Sequence, residues 1–349
     1  MSKEITIYDI AKETGVSPAT VSRALNKHPA VKEKTKKKIY EAADKLGYRS
    51  NIFASNLRSK STHNIGVIVP RLNSPFQSSV LAGMEKVANE AGFNLIISQS
   101  LESEDKEKSN AKSMYNSRVD GLLVSLASST KEIAHFKPFL QKGTPVIFFD
   151  RVAEESNMTG VMIDNSKAAY HAVKHLIDQG CKNIVHVLGN PQINVYADRL
   201  KGYKYALMDN GIAFEEDNII ISDLNETAGI DISRKILSMN PLPDGLFVSN
   251  DSCAASCLIQ LKKAGVKIPK DMAVVGFNND TVSRLIAPNL TTINYPGYEM
   301  GEIAMKNLIT RLNETGDDVL QNTNTITLKA DLIIRDSSLR KKNRNNIHH

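Results

Sequence analysis

The chain has 349 residues, a net charge of +6, three cysteines and no tryptophan. Cys181, Cys253 and Cys257 form no disulfide framework, and no apolar run approaches the roughly 18 residues of a membrane span. With no signal peptide at the N-terminus, the sequence predicts a soluble protein of a reducing cytoplasm and excludes a disulfide-stapled secreted domain or a membrane protein.

Charge is unevenly placed along the chain. The first 62 residues hold ten Lys and three Arg against six carboxylates, a net of +7; residues 63–336 carry −5 and residues 337–349 carry +4. A basic end on a weakly acidic body is the footprint of polyanion binding. The first elements of that end are two short helices around Gly15. Ile7, Ile10, Ala11 and Val16 are spaced as the buried side of a helix and its exit, and Thr6 with Asp9 reads as an N-cap with an acidic first turn. Gly15 ends that helix in the left-handed conformation at no steric cost. Ser17 caps a second helix with Pro18 in its first position, where the missing N–H costs nothing. Val21 and Leu25 then face inward and leave Ala19, Thr20, Ser22, Arg23 and Asn26 outside. Small polar groups, one guanidinium and no carboxylate make a face suited to phosphates and base edges. A simple packing unit of an all-helical domain is the alternative for the pair taken alone. A third helix over residues 32–46 buries Ile39, Ala42, Ala43 and Leu46 behind Lys34, Lys36, Lys37 and Lys38, with Glu33 and Lys37 placed to pair at i, i+4. That basic helix favours the DNA reading.

Residues 51–57 have helical periodicity, Ala54 and Leu57 sharing a face, yet span about two turns, and isolated helices below ~12 residues are marginal in water. A hinge that folds on binding and a plain linker both fit. The strings Thr6-Ile-Tyr-Asp-Ile-Ala, Gly15-Val-Ser, Ala19-Thr-Val-Ser-Arg-Ala-Leu-Asn26, Ala42-Ala-Asp-Lys-Leu-Gly-Tyr48 and Asn51-Ile-Phe-Ala-Ser-Asn-Leu57 resemble the lactose-repressor/galactose-repressor (LacI/GalR) family of bacterial transcription regulators, and the resemblance runs over nearly the whole chain. It implies a homodimer on double-stranded palindromic operator DNA, with paired hinge helices in the minor groove and Leu57 wedged between base pairs to kink the duplex. The residues it assigns to DNA contact are Thr6, Tyr8, Ser17, Pro18, Ala19, Thr20, Ser22, Arg23, Asn26, Ala54 and Leu57. Pro18 and Ala19 fall where the family varies with operator sequence; they bring no polar side chain, which leaves direct base reading to Thr20, Ser22 and Arg23. The organisation expected is a helix-turn-helix domain over 1–49, a hinge over 50–62, a two-lobed effector-binding and dimerisation domain over 63–338 and a basic disordered tail over 339–349.

The longer remainder repeats strand then helix. Short, nearly continuous apolar runs stand at residues 65–69, 94–97, 121–124, 146–149, 184–188, 219–221, 245–248 and 273–277, and amphipathic segments of helix length at 76–91, 166–179, 199–210 and 253–264. Strands covered on both faces have this composition, so an α/β core of two doubly wound parallel-sheet lobes is predicted, resembling a periplasmic binding protein. Ligands of such sheets bind outside the carboxyl ends of the strands. The loops there supply Asn73, Phe76, Asp150, Arg151, Asp164, Asn165, Asp198, Arg199, Asn250, Asp251, Asn278, Asn279 and Asp280. An aromatic face with carboxylates, amides and an arginine fork is what a polyhydroxylated ligand needs, although Asp164, Asn165 and Asp251 read equally as helix caps. By resemblance, Asp150, Arg199, Asn250 and Asn278 hold the effector, with Phe76 at the cleft mouth. Two positions depart from the family: Asn278 replaces a frequent aspartate, and Leu224 stands where many relatives place an aromatic ring.

Other chemistries lack their signatures. No Walker A, G-x-G-x-x-G, G-x-S-x-G or H-E-x-x-H string occurs, and His171 with His175 finds no third metal ligand. The sequence therefore predicts no enzyme, no cofactor and no metal, but an effector-controlled regulator, most simply a repressor answering to a sugar or sugar phosphate. The alternatives are a nucleobase-type corepressor, and a sugar-binding module or enzyme with a nonspecific DNA anchor.

Overall fold

A computed structural model describes residues 5–48, 61–152, 159–313 and 325–340. The chain divides into two compact units, Met1–Thr62 and His63–His349. The hinge positions Ala54 and Leu57, and the tail beyond residue 340, lie outside the described residues.

The first unit is a three-helix packet of α1 (Ile7–Thr14), α2 (Pro18–Leu25) and α3 (Glu33–Leu46). The Asp9 carboxylate takes both the Thr6 N–H (2.8 Å) and the Thr6 hydroxyl (2.7 Å), Gly15 turns the chain at φ 68°, and the Ser17 hydroxyl accepts from the Thr20 amide. Ile10, Val21, Val31, Ile39, Ala42 and Ala43 form the core. Ala24 is fully buried beside Val21 while Leu25 is only partly covered, so the inner face of α2 is turned from the expected one. Glu33 pairs with Lys36 at 2.7 Å rather than with Lys37, since i, i+3 is as close a neighbour as i, i+4. The packet is tied across helices by Lys38 Nζ on the Thr14 carbonyl and Tyr40 Oη on the Ala24 carbonyl.

The second unit holds two six-stranded sheets built alike. One comprises β1 (Asn64–Val69), β2 (Asn94–Gln99), β3 (Gly121–Val124), β4 (Val146–Phe149), β5 (Gly160–Ile163) and β11 (Ile326–Leu328), in the order β11-β5-β4-β3-β1-β2 and parallel throughout. The other comprises β6 (Ile184–Leu188), β7 (Ile219–Ile221), β8 (Gly245–Val248), β9 (Ala273–Asn278), β10 (Thr291–Asn294) and β12 (Leu332–Ile333), in the order β12-β10-β9-β8-β6-β7, with only β12 antiparallel. The eight apolar runs of the sequence are β1 to β4 and β6 to β9. β5 is a further apolar run, of the same length as β3 but outside those eight, whereas β10 carries two Thr and β11 and β12 are only three and two residues long. They are also where the chain passes between lobes.

Helices α4 (Pro75–Glu90), α5 (Glu104–Asn116), α6 (Lys137–Gln141) and α12 (Gly297–Asn313) belong with the first sheet; α7 (Asn165–Asp178), α8 (Asn194–Asp209), α9 (Glu226–Leu237), α10 (Asp251–Lys263) and α11 (Val282–Leu285) belong with the second. Because α8 starts at Asn194, Asp198 and Arg199 lie in its second turn and not in a loop. One apolar core runs through both lobes, from Ile65, Val67 and Met84 through Phe76, Tyr295 and Phe277 to Phe247 and Tyr203. Helices α4 and α12 touch backbone to backbone: a Cβ on Gly301 would lie 2.0 Å from the Val80 carbonyl oxygen, and one on Gly83 2.0 Å from that of Tyr298. Alanine in an open helix would stabilise relative to glycine by about 0.5–1 kcal/mol. Here the sign reverses, and Gly301→Ala is expected to lose about 1–3 kcal/mol to overpacking; a urea midpoint equal to or above wild type would show that the two helices can separate freely.

Candidate functional site

On the first unit, Thr6, Tyr8, Ser17, Ala19, Arg23 and Asn26 are exposed and Pro18, Thr20 and Ser22 half-buried, so all nine sequence-assigned positions of this unit are open to solvent at least in part. The Ser17 and Thr20 hydroxyls share a 2.9 Å hydrogen bond and Asn26 Nδ2 donates to the Ser22 carbonyl. These groups must exchange internal bonds for external ones. Arg23 makes no side-chain hydrogen bond or ion pair among the described residues and keeps its whole fork for a polyanion.

In the second unit the candidate groups converge at the carboxyl ends of both sheets. From the first sheet come Phe76 and Gln77 in the first turn of α4, Ser125 after β3, and Asp150 with Arg151 after β4. From the second come Arg199 of α8, Ser249 and Asn250 after β8, Asn278 and Asn279 at the end of β9, and Tyr295 after β10, with Asn165 opening α7. Asp150, Leu224, Asn278 and Asn279 all have positive φ, at 60°, 57°, 117° and 59°. Such strain in non-glycine residues costs on the order of 1–3 kcal/mol each and gathers at ligand sites.

Asp150 is the polar centre. Its Oδ1 accepts from Tyr295 Oη at 2.5 Å, and its Oδ2 from Gln77 Nε2 at 3.2 Å and Ser125 Oγ at 3.4 Å. Burial pushes its pKa up, outweighing the pull of Arg151, Tyr295 and Arg199. Arg199, 3% exposed, donates from Nε to Asn165 Oδ1 (2.9 Å) and from Nη1 to the Ser249 carbonyl (3.0 Å), with its guanidinium 3.6 Å over the Phe277 ring. The Ser249 hydroxyl meets His186, whose pKa burial drives down to about 3, so that ring is neutral. Phe76 is buried and stacks on Tyr295 at 4.2 Å, which places it inside the cleft floor and not at its mouth.

Other assigned side chains are engaged elsewhere or turned away from this centre. Arg151 turns to Glu102 Oε2 at 2.7 Å; burial would raise the Glu102 pKa, but Arg151 and the Ser128 amide hold it below the usual carboxylate range. Asn250 spends its side chain capping α10 at Cys253, Leu224 is buried in the second lobe's apolar core, and Asn73 is exposed. Asp164 caps α7, and His175 bonds Ser338. Gln77, Ser125, Ser249 and Tyr295 had escaped the sequence reading. The signal for Tyr295 was an aromatic residue directly before Pro296, but the four residues of β10 ahead of it read as loop.

Beneath Asn278 lies a second acidic cluster. Asp251, fully buried, accepts from Thr292 Oγ1 (2.7 Å) and the Asp280 amide (2.8 Å), while Arg335 reaches Asn279 Oδ1 (2.7 Å), Ser283 and the Leu290 carbonyl. Burial raises Asp251 to about 7 and Asp280 to about 6. With folded values above the unfolded ones, the native state holds extra protons, so these groups favour folding at low pH and that advantage is lost as pH rises toward 7. Relative to Asp251→Asn, wild type should lose on the order of 1 kcal/mol per pH unit between pH 5 and 7. Parallel urea-stability profiles for the two proteins would rule this out.

Among the described residues, no helix is long and apolar enough to cross a membrane and no three His, Cys, Asp or Glu side chains group as a metal site. Comparison with known proteins gives two family matches: "Bacterial regulatory proteins, lacI family" over residues 6–51, and "Periplasmic binding proteins and sugar binding domain of LacI family" over residues 62–334. Catabolite control protein A of Priestia megaterium is 34% identical over 311 residues, covering 89% of this chain and 93% of that protein. A solved complex of the transcriptional regulator CelR with cellobiose is 25% identical with TM-score 0.72, covering 96% of this chain and 100% of that one. The Lac repressor dimer bound to operator and the anti-inducer ONPF has TM-score 0.85 at 23% identity, covering 97% and 100%, a likeness of fold.

Proposed function

We infer how this chain works from its family: it belongs to the LacI family of bacterial regulatory proteins, and is a DNA-binding transcription regulator under effector control rather than an enzyme. Its action is read as repression by a homodimer in the cytoplasm, each subunit laying α2 in the major groove of one half of a palindromic operator at the nucleoid. Thr6, Tyr8, Ser17, Pro18, Ala19, Thr20, Ser22, Arg23 and Asn26 make the DNA face. The chain is read as a helix-turn-helix domain over 1–49, a hinge over 50–62 that folds against the minor groove with Ala54 and Leu57 on its buried side, and an effector-binding domain over 63–338; the tail expected from 339 starts later, because Arg340 donates to the Pro269 and Asp244 carbonyls of the second lobe. The effector lies between the core lobes among Phe76, Asp150, Arg199 and Asn278, with Asn73, Arg151, Leu224 and Asn250 around them.

A sugar is the favoured class of effector. The observation that carries it is a buried carboxylate, Asp150, and a buried arginine fork, Arg199, each held by its own partners in one site beside the rings of Phe76, Tyr295 and Phe277, since sugars offer hydroxyls to the first two and an apolar face to the last. CelR, similar in fold and sequence, holds cellobiose. The same three rings favour a planar nucleobase as the second reading. A ligand shifts operator affinity only through different affinity for two states of the core, a coupling of typically about 1–3 kcal/mol.

Gel shifts of the full chain on palindromic and scrambled duplexes, with and without a sugar panel, test this directly. The palindrome should be preferred by roughly 10³-fold or more, and Leu57→Ala should erode that preference while leaving scrambled DNA bound as before. Equal affinity for both duplexes would leave the first unit a nonspecific anchor. Operator affinity indifferent to every sugar that binds would end the effector reading.

A further inference from the structure

The groups that would recognise a ligand are already used by the protein itself. Asp150 is 5% exposed, Arg199 3% and Tyr295 5%, and the two oxygens of Asp150 carry three internal donors. The donors differ in origin. Gln77 and Ser125 belong, like Asp150, to the first lobe; Tyr295 follows β10 of the second sheet and is held there by its amide on the Asn278 carbonyl and by its ring edge-on to Phe277 at 5.9 Å. The phenol thus spans the lobes, and its ring lies on Phe76 of the first lobe at 4.2 Å. Beside it Gln77 Oε1 is buried with no hydrogen-bond partner among the described residues, an acceptor left over in a site whose donors are spent. A buried acceptor of this kind costs about 1–3 kcal/mol until a donor arrives.

We propose that Tyr295 is a built-in competitor for the effector and determines the specificity of the cleft: its phenol sits on the Asp150 oxygen that a ligand hydroxyl would use and bridges the lobes in the ligand's place. This rests on the effector reading of the cleft. The effector class that follows is a polyol with at least two hydroxyls, one to replace the phenol on Asp150 and one to donate to Gln77 Oε1, because a single hydroxyl merely exchanges one hydrogen bond for another of similar strength. Displacing the phenol also disturbs its ring's stack on Phe76, so occupancy exchanges an internal bridge between the two lobes for one made through the ligand.

The test compares full-length Tyr295→Phe, which keeps the ring and its stack, with Ser125→Ala, which removes an Asp150 donor from within the first lobe. In ligand-free protein, amide exchange of Asp164, Asn165, Asn294, Tyr295 (Phe in the variant) and Gly297 should quicken at least tenfold in Tyr295→Phe and stay near wild type in Ser125→Ala; equal rates in all three overturn the bridge. Calorimetry with glucose, galactose, ribose, cellobiose and glucose 6-phosphate is the second measurement. At least one should bind Tyr295→Phe tenfold or more tighter than wild type, whereas a merely structural hydroxyl would leave binding unchanged or weaker. Sugar binding equal in wild type and Tyr295→Phe overturns the competitor and leaves the effector reading standing. Binding of no sugar to any variant overturns the polyol class, and the exchange rates then decide the bridge alone.

Discussion

Replacing Arg199 by Met should weaken effector binding by about 2–5 kcal/mol, roughly 30-fold to several thousandfold, because the proposed site then loses the buried charge assigned to orient and attract the ligand. Arg199→Lys should fall between Met and wild type. It keeps the charge, but one ammonium cannot reproduce a planar fork whose Nε and Nη1 meet Asn165 Oδ1 and the Ser249 carbonyl while the guanidinium carbon lies over the Phe277 ring. Both variants also leave at least one of those acceptors without a donor, so a stability loss of about 1–3 kcal/mol accompanies the change. Calorimetric titration with the sugar that stabilises wild type most, on protein first shown to be folded by circular dichroism, measures the effect. Unchanged affinity in both variants would remove Arg199 from the site.

On the DNA side, Arg23→Ala should cost about 1–3 kcal/mol on the palindrome and relax its sequence preference, while Lys37→Ala should weaken all duplexes alike and lower the salt slope by about 1. The contrast follows from placement. Arg23 projects from the exposed face of α2, where the neighbouring side chains are Ala19, Thr20 and Ser22, too short to substitute for it. Lys37 stands exposed on α3 without the Glu33 partner, which pairs with Lys36 instead. Fluorescence anisotropy over a salt series, on palindromic and scrambled duplexes, separates the two; identical profiles would mean that Arg23 reads phosphate and no base.

Local rules made the first unit legible almost residue by residue. Caps, a glycine turn and apolar spacing all act within a few positions, and only the turn of α2 that buries Ala24 depended on what α3 presents to it. In the second unit, eight strands announced themselves by short, nearly continuous apolar runs, as burial on both faces demands of the central ones. The crossing strands did not: β10 carries two Thr in four residues and β11 is three residues long, while β5 is an apolar run that stands directly after a stretch of polar residues. The same distinction governs the cleft. Asp150 and Arg199 could be picked out by type and position, but Tyr295 matters through a hydrogen bond to a residue 145 positions earlier, and no periodicity encodes that. Asn250, by contrast, is engaged locally as a cap, a role its position before Asp251 already allowed.

The two lobes are finished only by the last stretch of the chain. β11 forms the outer edge of the first sheet, β12 that of the second, and α12 covers the first from residue 297 onward. During synthesis the first sheet must therefore wait, with its edge unpaired and part of its apolar face bare, while the whole second lobe is made. Closure through such distant pairings is slow and leaves open edges able to pair wrongly. The three-helix unit has no such dependence and can fold as soon as it is made. A nascent chain thus becomes able to touch DNA before it possesses the part that governs that contact, and the interval between the two is set by the folding of the core.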